Sequence, residues 1–161
     1  MPRTRWLTPD QERAWRAYRR MHALLDLQIA RDLGRDSSLS EADYDVLSAL
    51  SEVPSRSWRA SELAARLLWS TSRLAHHVGR MERRGLVRRS GSPDDRRGAV
   101  VALTDEGWST LRRAAPAHVA SVRRHFVELM TDEELRVLGD VATRVVDRLS
   151  PSTDGRPAVD A

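Results

Sequence analysis

Apolar positions recur at helical spacing over most of the chain, and each helical stretch opens on a recognisable start signal. Thr8-Pro9-Asp10-Gln11 supplies an N-cap, a proline at the first helical position and a capping-box partner. Trp15, Tyr18, Leu25 and Ile29, with Met21 or His22 between them, keep the period until Leu33-Gly34, where the first helix is expected to stop. Ser40 with Asp43 starts a second helix that turns Tyr44, Leu47 and Leu50 inward and ends before Pro54. A short third helix is expected from Ser61 to about Leu67, and Ser70-Thr71-Ser72 caps a fourth that runs to Arg84 and is closed by Gly85.

There the period changes. Leu86–Ser90 and Ala99–Leu103 read as short strands, and Gly91-Ser92-Pro93-Asp94-Asp95 between them is turn chemistry, so the pair predicts a β-hairpin with a charged tip. Thr104 caps a long fifth helix, expected to bend near Pro116, whose apolar positions are Trp108, Leu111, Ala115, Val119, Val122, Phe126 and Leu129. Thr131 with Glu134 forms a capping box for a sixth helix carrying Leu135, Leu138, Ala142, Val145 and Leu149. Residues from about 150 to 161 are rich in Pro, Ser and Asp and read as a disordered tail. The predicted class is therefore mainly α with a small β-hairpin wing.

Length and composition narrow the function. A chain of 161 residues suits one compact domain. With no cysteine, a disulfide framework, a thiolate metal site, a cysteine nucleophile and a thiol redox switch are all excluded. The polar N-terminus has no apolar signal core, and no window approaches the roughly 18 unbroken apolar residues of a membrane span, so the expected location is cytoplasmic, with no membrane partner. No phosphate-cradling glycine loop, nucleophile elbow or HExxH is present, which argues against an enzyme. Charge is concentrated: residues 1–55 hold eight Arg against nine acids, residues 56–97 eleven Arg against four acids, and the remainder eight Arg against ten acids. A nearly neutral protein with one basic segment of +7 carries an electrostatic footprint for a polyanion.

The order of elements inside that segment identifies the polyanion. A short helix, a tight turn, a second helix and a two-stranded hairpin make a winged helix-turn-helix. In the second helix Leu74, Val78 and Met81 share one face and can pack on Leu63 and Leu67. Ser72, Arg73, His76, His77, Arg80 and Arg84 then fall on or near the opposite face, with Ser70 and Thr71 at the helix start, a donor set suited to base edges and phosphates in a major groove. For Arg83, Arg84, Arg88 and Arg89, phosphate approach and simple solubility predict the same residues. The hairpin tip carries Asp94-Asp95-Arg96-Arg97, where a carboxylate can hold an arginine extended toward a narrow minor groove.

These residues resemble the MarR family of winged helix-turn-helix transcriptional regulators. The resemblance rests on Ser61-Glu62-Leu63-Ala64, Met81-Glu82-Arg83-Arg84-Gly85-Leu86-Val87, Asp95-Arg96-Arg97 and Leu103-Thr104-Asp105-Glu106-Gly107, in that order, and covers about residues 9–149. It implies a single domain in which about 9–35 and 105–149 form a helical dimerisation region and about 40–103 the winged lobe. It also implies a homodimer whose two lobes meet adjacent major grooves of a double-stranded, pseudo-palindromic operator, most often as a ligand-responsive repressor. By the same resemblance Arg97 is the minor-groove arginine and Asp95 its orienting partner. Two positions depart from the family pattern: Trp69 occupies the turn where a smaller aliphatic residue is usual, and Arg59 stands where a Ser or Thr cap is expected.

Further readings stay open at this level. Trp15, Tyr18, His22, Tyr44 and His118 either line a site for a small aromatic effector, as the corresponding region does in the family, or simply form an aromatic-lined core. His22, His118 and His125 are candidates for a regulatory zinc, although lone histidines along helices are more often packed; no cofactor or metal is expected. A dimer that binds effectors or proteins without operator specificity is the alternative from another functional class.

Overall fold

The computed structural model describes residues 4–91 and 98–150 and divides into two compact units, one reaching to Val122 and one from Arg123 onward. Asp95, Arg96 and Arg97, with the rest of the 92–97 hairpin tip, and the tail beyond 150 lie outside the described residues.

The first unit opens with helix α1 (Pro9–Asp36), started by the expected capping box, in which the Thr8 hydroxyl accepts from the Gln11 N–H. It does not stop at Gly34. No atom crowds that glycine, and the helix continues to Asp36, where Ser37 ends it by donating to the Leu33 carbonyl at 2.8 Å. Helix α2 (Glu41–Ser51) has the Ser40 and Asp43 capping box, helix α3 (Ala60–Arg66) follows Arg59 with no side-chain cap, and helix α4 (Thr71–Arg83) starts at Ser70. Strand β1 (Ser57–Arg59) was not expected from the sequence. It joins β2 (Val87–Ser90) and β3 (Val100–Leu103) in an antiparallel sheet of order β1-β3-β2, so the wing rests on three strands rather than two. Val101 faces Trp58 on one side and Arg89 on the other, and the Trp58 indole N–H donates to the Ala49 carbonyl at 3.1 Å, fixing the short strand to α2.

The core of this unit is built where the four helices meet the sheet. Val46, Leu47 and Leu50 of α2, Leu63 of α3, Leu74, Val78 and Met81 of α4, and Val87 and Val101 of the sheet are fully buried. Helix α5 (Asp105–His125) is capped by Thr104, whose hydroxyl accepts from the Gly107 N–H at 2.9 Å. It runs through Pro116 as one helix and ends at His125, short of the expected Leu129, giving way to a 3-10 turn at Val127–Leu129. Leu111 and Ala114 face the core, and Ser121 donates to buried Asp32 of α1 at 2.7 Å.

The second unit carries helix α6 (Asp132–Leu149), opened by the Thr131 and Glu134 capping box. Not one of its residues is buried, and Val141, Val145 and Leu149 stand exposed. On α1, Trp15, Tyr18, Leu24 and Leu27 are likewise about half exposed. Trp15, Tyr18, Val145 and Leu149 are among the positions that periodicity predicts to be buried; in the single chain they belong to apolar faces that no described residue covers.

Candidate nucleic-acid interface

Helix α4 owes its exposed face to its own spacing. Leu74, Val78 and Met81 anchor it against α3 and the sheet, and the remaining positions turn outward. Ser70 caps the helix by accepting from the Arg73 N–H at 3.2 Å, and Ser70, Thr71, Ser72, Arg73, His76 and Arg80 are all exposed. Donors at the helix start and arginines one and two turns on can meet phosphate oxygens and guanine edges.

His77 departs from this set. It was expected near the outer face, yet it is 6 % exposed, because positions 74, 77, 78 and 81 together make the inward stripe. Its ring joins the helix to α2: the Arg80 guanidinium donates to Nδ1 at 2.6 Å, which leaves the proton on Nε2, 3.0 Å from the buried Asp43 carboxylate. Burial, with Arg80 adding to it, holds the His77 pKa below its ordinary 6.5 despite Asp43. Asp43 is the hub. It accepts from the Ser40 backbone N–H at 3.0 Å and from Arg84 at 2.7 Å, and Arg84 also donates to the Ser38 carbonyl. Burial pushes the Asp43 carboxyl up, but the hydrogen bonds from Arg84 and Ser40 outweigh it and leave the pKa below 3.8. Arg84 therefore serves the junction between α4 and α2 rather than the outer face.

In the turn before α4, Leu68 adopts a left-handed backbone (φ 55°), and Trp69 folds back over the helix. The Arg73 guanidinium lies 4.2 Å from the Trp69 ring centre, and the His77 ring meets the same indole edge-on at 5.4 Å. On the wing, Arg89 is tied to Glu82 at 2.9 Å, while Arg83 and Arg88 are exposed. Sequence reasoning registered Asp43 only as a cap and Trp69 only as an irregularity; the recurrence 69, 73, 77, 80, 84 at steps of three and four was the signal that these side chains share one edge.

The candidate effector residues separate into two groups. Tyr44 and His118 come together, ring centres 4.2 Å apart, beside a cavity of about 330 Å3 also lined by Ile29, Leu33, Glu41, Asp45, Arg66 and Leu67. Trp15, Tyr18 and His22 are not brought to it; they stack in sequence along α1, and His22 pairs with Asp26 at 3.1 Å. Burial lowers the pKa of His118 and raises those of Tyr44 and Asp45, and His118 Nδ1 has no hydrogen-bond partner among the described residues. Among the described residues no group of three metal-binding side chains is found. Nor is any described helix long and apolar enough to cross a membrane.

A short helix, a turn, an arginine-bearing helix and a three-stranded wing define a winged helix-turn-helix DNA-binding protein. Comparison with known proteins agrees. A family model described as "MarR family" matches residues 37–98. The transcriptional regulator HosA of Escherichia coli O111:H- is 30% identical over 132 residues, which cover 82% of this chain and 96% of HosA. Among solved structures, Sco3205 of Streptomyces coelicolor, a MarR family regulator in complex with DNA, is similar at a TM-score of 0.86 and 39% identity, over 94% of this chain and 95% of that one. AbsC, a MarR family regulator from the same organism, is similar at 0.84 and 42% identity, over 91% and 98%. The chain belongs to the MarR family and is a DNA-binding transcriptional regulator, not an enzyme.

Proposed function

We propose that this regulator acts in the cytoplasm as a homodimeric repressor of a pseudo-palindromic operator and is released by a small aromatic effector. The observation that carries the reading is the outer face of α4, where Thr71, Ser72, Arg73, His76 and Arg80 stand exposed on a rigidly anchored helix. Ser72, Arg73, His76 and Arg80 read base edges or grip phosphates, with Ser70 and Thr71 at the helix start. Arg96 and Arg97, oriented by Asp95, enter the flanking minor groove. Two such helices one turn apart set half-sites about 10 base pairs apart. The uncovered apolar faces of α1 and α6 support dimerisation, since a second copy would remove them from water. The cavity beside Tyr44 and His118 supports an effector that is flat and partly polar: its wall offers an aromatic ring, an imidazole nitrogen without a partner among the described residues, and Arg66 paired with Glu52 at 2.8 Å. A ligand seated there would touch α2, α3 and α5 of the lobe that carries α4. It would favour a lobe spacing that misfits DNA, a shift of population rather than a local block.

The test is binding of a duplex selected by the wild-type protein from a randomised pool. Arg80→Ala and Arg97→Ala should each weaken it by roughly 1 to 3 kcal/mol while dimerisation, followed by size-exclusion chromatography, is unchanged. Unaltered affinity in both variants would refute the proposed reading surface.

A further inference from the structure

One stripe along α4 contains the contacts that fix Arg73 and Arg80. Trp69, Arg73, His77, Arg80 and Arg84 succeed each other at steps of four, four, three and four residues, so they lie on one edge of the helix between its buried and exposed faces. From Trp69 to Arg80 aromatic and cationic groups alternate along this edge. Arg73 lies over the face of the Trp69 indole at 4.2 Å; the same indole meets the His77 ring at 5.4 Å; His77 Nδ1 accepts from Arg80 at 2.6 Å. Behind the stripe the Asp43 carboxylate lies 3.0 Å from His77 Nε2 and is itself held by Arg84 and by the Ser40 backbone. An arginine on a bare helix face samples many rotamers and loses that freedom on meeting a base. Here both have already been ordered.

We propose that Trp69 and His77 are positioning residues for DNA reading: the indole sets Arg73 and the imidazole sets Arg80, so operator selectivity depends on two side chains that themselves need touch no base. The inference rests on the proposed role of Arg73 and Arg80 in reading DNA. His77 must be uncharged to do its part, because Nδ1 accepts from a guanidinium, and its burial beside Arg80 and Arg73 favours that form. Trp69 supplies the arginine-facing ring that a smaller aliphatic residue in this turn would lack.

The experiment is a pair of double-mutant cycles, Trp69 with Arg73 and His77 with Arg80, reading affinity for the selected duplex and for a shuffled duplex of the same composition. Trp69→Leu should weaken selective binding about two- to five-fold, the size of an exposed cation–π contact, and Trp69→Phe should recover most of it. His77→Phe should weaken it about three- to ten-fold through the lost bond to Arg80. Affinity for the shuffled duplex should stay constant in Trp69→Leu and His77→Phe, which remove no charge. In the Arg73→Ala background Trp69→Leu should cost nothing further, and likewise His77→Phe in Arg80→Ala. Additive losses would make both rings packing residues and overturn the proposal, as would equal losses on both duplexes. If His77→Phe does not fold, His77→Leu, which likewise has no acceptor for Arg80, takes its place. Arg73→Ala and Arg80→Ala without effect of their own would show instead that α4 does not read DNA, and the positioning role would fall with that reading.

Discussion

Replacing Asp43 by alanine tests the junction that holds α4 to α2. The carboxylate is 5 % exposed and makes three contacts that the methyl group of alanine cannot. Loss of the bond to the Ser40 N–H removes half of a capping box, about 1 kcal/mol. The 2.7 Å bond from Arg84 is charge-assisted, but the arginine side chain is 40% exposed and solvent screens it, so its loss is worth about another 1 kcal/mol. The third cost falls on His77, whose buried Nε2 lies 3.0 Å from the carboxylate without an aligned hydrogen bond and loses that electrostatic neighbour, about 1 kcal/mol. Together Asp43→Ala should destabilise the fold by about 3 kcal/mol, a large share of the roughly 5 to 15 kcal/mol typical of a domain. Asp43→Asn keeps an acceptor for the Ser40 N–H and should lose about half as much. Urea unfolding at neutral pH and fixed protomer concentration reads both, as a lower midpoint at unchanged slope. A loss below about 1 kcal/mol for Asp43→Ala would refute the junction as a stabilising network.

Three other outcomes follow from the packing. A Cβ at Gly107 would sit 2.0 Å from the Leu86 carbonyl oxygen and 2.9 Å from its carbon, so Gly107→Ala should lower thermal stability by about 1 to 3 kcal/mol despite the better helix propensity of alanine; an unchanged melt would contradict this close approach of α5 to the sheet. His77 and His118 are both held below their ordinary 6.5 by burial, so between their folded values and 6.5 the unfolded chain binds more protons. Their contribution to stability is complete above about pH 6.5 and declines below it, and His118→Phe should flatten part of that decline in pH-dependent unfolding, whereas Asp43, held below 3.8, acts only in a lower window. Leu68→Gly should raise stability by roughly 0.5 to 1 kcal/mol in the same urea assay, since the left-handed backbone in the turn no longer carries a side chain; a loss would mean that this turn is not left-handed.

What the sequence disclosed was local. Thr8, Ser40, Ser70 and Thr131 cap helices through residues three positions on, and such contacts are written in adjacent letters. Strand β1 was hidden because three residues show no alternation and its partner β3 is remote in the chain. The Ser121 bond to Asp32 is hidden for the same reason. Gly34 misled because a glycine ends a helix only if the chain needs a left-handed turn there, and here Ser37 supplies the stop. At the site, the outward set from Ser70 to Arg80 was legible from the spacing of Leu74, Val78 and Met81, but His77 was placed on the wrong side because a polar residue flanking an apolar stripe turns inward only when a buried partner such as Asp43 awaits it. The effector candidates divided because Trp15, Tyr18 and His22 share a helix face with one another, whereas Tyr44 and His118 meet through tertiary packing.

The central claim is that α4 is the reading head of a symmetric pair. Duplexes selected by the wild-type protein from a randomised pool, footprinted and then titrated with salt, address it directly. The account predicts two protected half-sites about 10 base pairs apart and an affinity that falls steeply as salt rises. Failure of any sequence to enrich over the starting pool, or a single protected site with no second half, would contradict it.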